Sequence, residues 1–179
     1  MDLETLYLID QKDGFSPEFG KLVSMMNFTR ATTIQEVKDL TSEELDFLFN
    51  EEANSIGMLL AHMAAVEKAY QLLTFGNGEI TDEALSQLNP GLELGEPARQ
   101  TIKGHAIEHY LQQLESVRRQ TLETFKTLPD EWLFEQTPFW GGHPGNNYFK
   151  WFHVFEDELN HRGQIRVIKK MMRSKSCCG

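Results

Sequence analysis

Apolar side chains recur at helical spacing in four stretches of this chain, and the longest lies nearest its C-terminus. From Tyr148 to Met172 (YFKWFHVFEDELNHRGQIRVIKKMM) no glycine or proline interrupts the run until Gly163, and its length makes about seven helical turns. Val154, His161, Ile165, Ile168 and Met172 fall within about 40° of Val154 at 100° per residue, a single stripe. Upstream, Ser16 and Pro17 read as the N-cap and first residue of a helix. Phe19, Leu22, Val23 and Met26 carry it to about Val37. Thr41 with Glu44 has the spacing of a capping box, opening a short helix from Ser42 to Phe49. Ser55 caps the next long helix, Ile56 to about Phe75, whose apolar face is Leu59, Met63, Val66, Tyr70 and Leu73. Gly76-Asn77-Gly78 stops it. A further helix from Thr101 to about Leu128 turns Ile107, Leu111, Leu114, Thr121 and Phe125 inward, and Pro129 closes it.

The joints between these stretches are unequal. Asn50 to Asn54 is short. Glu79 to Gln100 holds Pro90, Gly91, Gly95 and Pro97, so at most one helical turn is expected, around Asp82 to Leu88. The second long link, Asp130 to Asn147, is rich in aromatic residues and glycine and suits a loop over one end of the helices. No strand-like alternation of useful length and no repeat occurs. Four long amphipathic helices read as an all-α four-helix bundle in a single domain. Residues 1–15 read as a lead-in and 173–179 as a disordered tail. Links of about twenty residues can cross the bundle end to end, so helical pattern alone leaves the topology open.

Composition narrows the partners. The chain has 179 residues, 40% hydrophobic, with a formal net charge of -10, so a full core is expected and a nucleic-acid partner is not. No apolar run approaches the length of a membrane span, and the opening MDLETLYLIDQKDG lacks the pattern of a secretory signal. The expectation is a soluble, cytoplasmic protein. The two cysteines, Cys177 and Cys178, are adjacent in the tail; they staple no fold and are expected to be frayed.

Chemistry concentrates on the last helix. Asp157 and His161 are spaced i, i+4 and share one face, and His62 lies at the edge of another helix's apolar face. Polar groups on core-facing stripes are expensive unless paired. Three ligands from two helices match an open metal site of catalytic type. Glu158, at i, i+3 from His161, is a competing ligand or a group that moves a proton beside the ion. His153 is about 12 Å along the axis from His161, so a packed or hydrogen-bonded role is expected for it. His105 and His109 also stand i, i+4, but their phase sets them away from Ile107 and Leu114, on solvated surface. Arg118 is in phase with Leu111 and Phe125. It either pairs Glu158 or Asp157 or grips a substrate carboxylate. Only one Glu-x-x-His unit is suitably placed, Glu158 to His161, so one metal is expected rather than two.

ANSIGMLLAHMAAVE (Ala53 to Glu67) and NNYFKWFHVFEDELNHRGQI (Asn146 to Ile165) resemble the two signature segments of the DinB-like superfamily. That superfamily includes the bacillithiol S-transferases and the mycothiol-dependent maleylpyruvate isomerases. The resemblance runs from about Phe19 to Met172. It implies an up-down-down-up bundle, often dimeric and bacterial, holding one divalent metal, zinc or nickel. His62 and His161 fall on the first and last ligand positions. The middle position, His or Glu in relatives, is Asp157 here. The implied activity is a metal-dependent thiol S-transfer from a low-molecular-weight thiol to a small electrophile. In that reading Arg118 and Phe139 to Asn147 shape the pocket and Glu158 moves a proton. The alternative is a non-enzymatic, stress-related metal-binding or dimerisation bundle.

Overall fold

In the computed structural model, which describes residues 6–76 and 80–176, the four amphipathic stretches form the four long helices. They are α1 (Pro17–Val37), α3 (Ile56–Phe75), α6 (Ile107–Phe125) and α8 (Asn147–Ser176). Short α2 (Ser42–Leu45) follows the capping box, with Thr41 Oγ1 accepting from the Glu44 N–H and the Glu44 carboxylate accepting from the Thr41 N–H. It ends four residues earlier than the expected Phe49. α8 continues past Met172 to Ser176, so residues 173–176 are helical; Cys177 and Cys178 lie outside the described residues.

Cross-helix contacts set the directions. Arg30 meets Glu158 and Thr32 meets Arg162, so α1 and α8 run in parallel. Thr74 meets Trp151 and His62 meets Asp157, so α3 runs against α8. Gln71 meets Thr121 and Glu67 meets Arg118, so α6 runs with α3. Two parallel helices in succession need a return of full helix length between them, and that explains the first long link.

That link is a correction to the expected loop. It carries α4 (Asp82–Glu93) and α5 (Gly95–Thr101) instead of a single turn. Thr81 caps α4 by accepting from the Ala84 N–H at 3.2 Å. Pro90 and Gly91 read as breakers, but the helix packs along α3 and tertiary burial overrides their propensity. A Cβ on Gly91 would stand 2.9 Å from Ala65 Cβ, so only glycine lets the two helices approach this closely. α6 begins at Ile107 rather than Thr101, because Ile102 leaves helical backbone and Gly104 takes φ +76°. The second link holds α7 (Glu131–Phe134) and a small antiparallel hairpin of β1 (Gln136–Pro138) with β2 (Pro144–Asn146).

The core is divided in two. Phe19, Leu22, Met26, Phe125, Leu133 and Trp151 fill one end. Leu45, Ile56, Leu59, Tyr110, Leu114 and Ile165 fill the other. Between them lies a buried ionic layer to which each long helix gives one residue: Arg30, Glu67, Arg118 and Glu158. Arg118 donates Nε to Glu67 Oε1 at 2.7 Å and Nη2 to Glu67 Oε2 at 3.0 Å. Arg30 donates Nε to Glu158 Oε1 at 2.9 Å and Nη2 to Glu67 Oε2 at 3.0 Å. Thr121 also donates to Glu67, at 2.7 Å. Two guanidiniums face two carboxylates, so the layer is neutral and its charges find partners within it.

Candidate metal centre

Beside this layer, His62 of α3 comes together with Asp157 and His161 of α8. Asp157 Oδ1 is 3.3 Å from His161 Nε2 and Asp157 Oδ2 is 3.5 Å from His62 Nε2. The two imidazoles are edge to face with centroids 4.6 Å apart. Among the described residues, one ligand atom from each of the three lies within 4.8 Å of the others. Two ligand atoms about 2.0–2.1 Å from a tetrahedral ion stand about 3.3 Å apart. The measured carboxylate-to-imidazole separations are close to that edge.

The hydrogen bonds supply a second test of fit. His62 Nδ1 lies 2.8 Å from the Gly91 carbonyl oxygen, and a carbonyl can only accept, so Nδ1 carries the proton. In a neutral ring Nε2 is then an acceptor, and it faces the acceptor Oδ2 of Asp157. Oδ2 has no hydrogen-bond partner and is buried, as is His161 Nδ1. Two opposed acceptors in a desolvated site call for a cation between them, either an extra proton or a metal ion. The ionic pull is visible in both groups. Burial alone would push His62 down, but Asp157 and the Gly91 carbonyl outweigh it and hold the imidazole above its ordinary value. Burial would likewise push Asp157 up, but His161 and His62 outweigh it and hold the carboxylate well below the usual range. The donor set, two imidazoles and one carboxylate, suits zinc or a similar transition ion.

The Gly91 carbonyl belongs to the last turn of α4, where carbonyls lack intrahelical partners. It is therefore free to fix the His62 tautomer, as outer partners of metal-bound imidazoles do. Nothing in the Pro-Gly sequence of a presumed loop signalled this role.

Other expected site residues fall elsewhere. Glu158 points to Arg30, not to the triad, and is 1% exposed. Arg118 grips Glu67, with Glu158 Oε2 3.6 Å from its Nη2. Both side chains are committed to the buried layer, Arg118 in its pairing alternative with Glu67 as the nearer partner and Glu158 as the farther one. Arg30, which completes that layer, was missed: one arginine on an apolar helix gives no local sign of its partners. His105 and His109 are half-buried rather than freely solvated. They stack at 4.0 Å and line a cleft of about 530 Å³ with Lys68, Gln113 and Gln120, apart from the triad. His153 is hydrogen-bonded, its Nδ1 3.1 Å from Glu156 Oε2. Phe139 and Trp140, from the hairpin region, stack on each other and reach Tyr70 and His153. Among the described residues no helix is long and apolar enough to cross a membrane.

No curated protein matches this sequence. The family model for mycothiol-S-transferase matches residues 21–174, from the first turns of α1 almost to the end of α8 and across all three candidate ligands. By that match the chain belongs to the mycothiol-S-transferase family, within the DinB-like superfamily.

Proposed function

We propose that the protein is a metal-dependent thiol S-transferase that joins a low-molecular-weight thiol, of which mycothiol is the family's example, to a small electrophile. The observation that carries this reading is the convergence of two imidazoles on one carboxylate: His161 Nε2 is 3.3 Å from Asp157 Oδ1, and His62 Nε2 is 3.5 Å from an Oδ2 that is buried without a hydrogen bond. His62, Asp157 and His161 would hold one divalent ion, zinc or nickel. When bound, such an ion supplies a Lewis acid that favours the ionised form of a thiol. Asp157 is the one carboxylate of the three groups, so a divalent ion held there keeps a net positive charge, which suits an anionic sulfur. Gly91 keeps His62 in the ligating tautomer.

Elemental analysis of purified protein should find about one transition metal per chain. Conjugation of mycothiol to a panel of electrophiles should disappear with chelator and return on adding zinc or nickel. Full activity in metal-free protein would refute metal dependence. A metal-loaded protein that conjugates no thiol would leave a binding module without transferase chemistry.

A further inference from the structure

His153 stands one turn ahead of Asp157 on α8, and its ring is held in the manner of a working base. Nδ1 lies 3.1 Å from Glu156 Oε2, and the other Glu156 oxygen accepts from Asn160 Nδ2. The ring meets Trp140 edge to face at 4.7 Å and Tyr70 at 5.8 Å. Four residues of helix put His153 and Asp157 about 6 Å apart along the axis and about 40° apart around it, on one face of α8. The Tyr70 hydroxyl is pushed up first by burial and then by the charge of Asp157. The His153 side chain is 23% exposed, and among the described residues Nε2 makes no hydrogen bond. Glu158, the carboxylate next in sequence to Asp157, is consumed by Arg30, so a proton leaving a substrate at the triad needs another acceptor.

We propose that His153 is the general base of the transfer, with Glu156 as its positioning residue; this rests on the thiol-transferase reading above. The S–H bond breaks with its electron pair left on sulfur, and the proton passes to His153 Nε2. The sulfur pair then forms the S–C bond to a carbon electrophile, whose leaving group departs with the pair of the bond that breaks. Glu156 balances the imidazolium until it returns the proton to the leaving group or to water. A base whose second nitrogen is oriented by a carboxylate is the arrangement that activates thiols and hydroxyls in general.

The test compares wild type with His153→Gln, His153→Ala and Glu156→Gln, each loaded with zinc and checked for metal content and melting temperature. Metal content should stay at the wild-type level. The kcat for mycothiol conjugation should fall about 100-fold in both His153 variants, the usual scale for a lost general base, with KM little changed and a smaller loss in Glu156→Gln. Free imidazole should restore part of the activity of His153→Ala. Wild-type kcat in either His153 variant, or loss of metal together with activity in both, overturns the proposal. If wild type conjugates no electrophile, the transferase reading falls separately, and stopped-flow thiolate absorbance on mixing with mycothiol decides the base. Slower thiolate formation in His153→Gln upholds it; an equal rate, or no thiolate in wild type, overturns it.

Discussion

Replacing Arg30 with methionine probes how far the four members of the buried layer depend on one another. Arg30 donates to Glu158 at 2.9, 3.1 and 3.2 Å, to Glu67 at 3.0 Å and to the Leu114 carbonyl at 2.7 Å. Methionine keeps much of the stem and removes the charge. Glu67 retains Arg118 and Thr121. Glu158 is left worse off, because Arg118 Nη2 is 3.6 Å away, too long for a hydrogen bond. Breaking a buried pair by removing one partner costs about 3–5 kcal/mol. At about 2–4 °C per kcal/mol for a chain of this size, the melting temperature should fall by about 6–20 °C. Adding Glu158→Leu removes the stranded charge and leaves the Glu67–Arg118 pair closed, so the double variant should recover much of the loss, with a coupling above about 2 kcal/mol. Urea denaturation followed by circular dichroism measures all three variants against wild type. A single-variant loss below about 1 kcal/mol, or additive single losses, would refute the reasoning. Acid supplies a further arm. Burial alone would raise Glu67, but Arg118 and Arg30 outweigh it and lower it. Its stabilising contribution is therefore present above the ordinary value of 4.5 and is lost as pH falls through the lowered one.

Asp130 accepts from Ser16 Oγ at 2.6 Å and from the Glu18 N–H at 3.1 Å, so Asp130→Ala should cost about 1 kcal/mol in a thermal melt at pH 7. Burial would raise that carboxyl, but Ser16, the two α1 amides and Lys21 outweigh it and lower it. The wild-type advantage should hold above the ordinary value of 3.8 and fade as pH drops below it; a gap that widened in acid would contradict this. Gly91→Val pushes α4 off Ala65 and moves the carbonyl that holds His62, so metal affinity should fall about 10–100-fold by competition with a chromogenic chelator while helix content is retained. His62→Ala and Asp157→Asn should each release the metal, whereas Glu158→Gln should not; elemental analysis that finds the metal lost only from Glu158→Gln would reassign the acidic ligand. Metal affinity should also decline below about pH 6.5, where protons compete for imidazole, and a flat isotherm from about pH 8 to 5 would exclude histidine ligation.

Much of this protein is legible in its sequence because helices are local objects. The apolar stripe of α8 and the spacing of Asp157 and His161 follow from 3.6 residues per turn, so one face and two candidate ligands could be read directly. The capping box at Thr41 and Glu44 spans three residues and was equally visible. His62 could be read as a polar residue at the edge of an apolar helix face, and the resemblance of two segments to the DinB-like superfamily put it in one ligand set with a helix ninety or so residues away, a link that helical spacing alone does not fix.

Tertiary structure decided what those local patterns left open. Ser16 reads as the cap of α1, yet its side chain makes no capping bond there, and Asp130 from the other end of the chain receives the α1 amides instead. Pro90 and Gly91 carry the local chemistry of a loop, but packing against Ala65 makes them helix and turns a backbone carbonyl into the clamp on His62. Arg30, Glu67, Arg118 and Glu158 each look like an isolated charge on an apolar helix; only the relative direction of four helices pairs them. That pairing takes Glu158 and leaves Asp157 free to face two histidines. Sequence spacing sets which side chains share a face, because the backbone repeat is local. Which of two neighbouring carboxylates meets a cation from another helix depends on rotation and depth of packing, and those are settled by burial across the whole core.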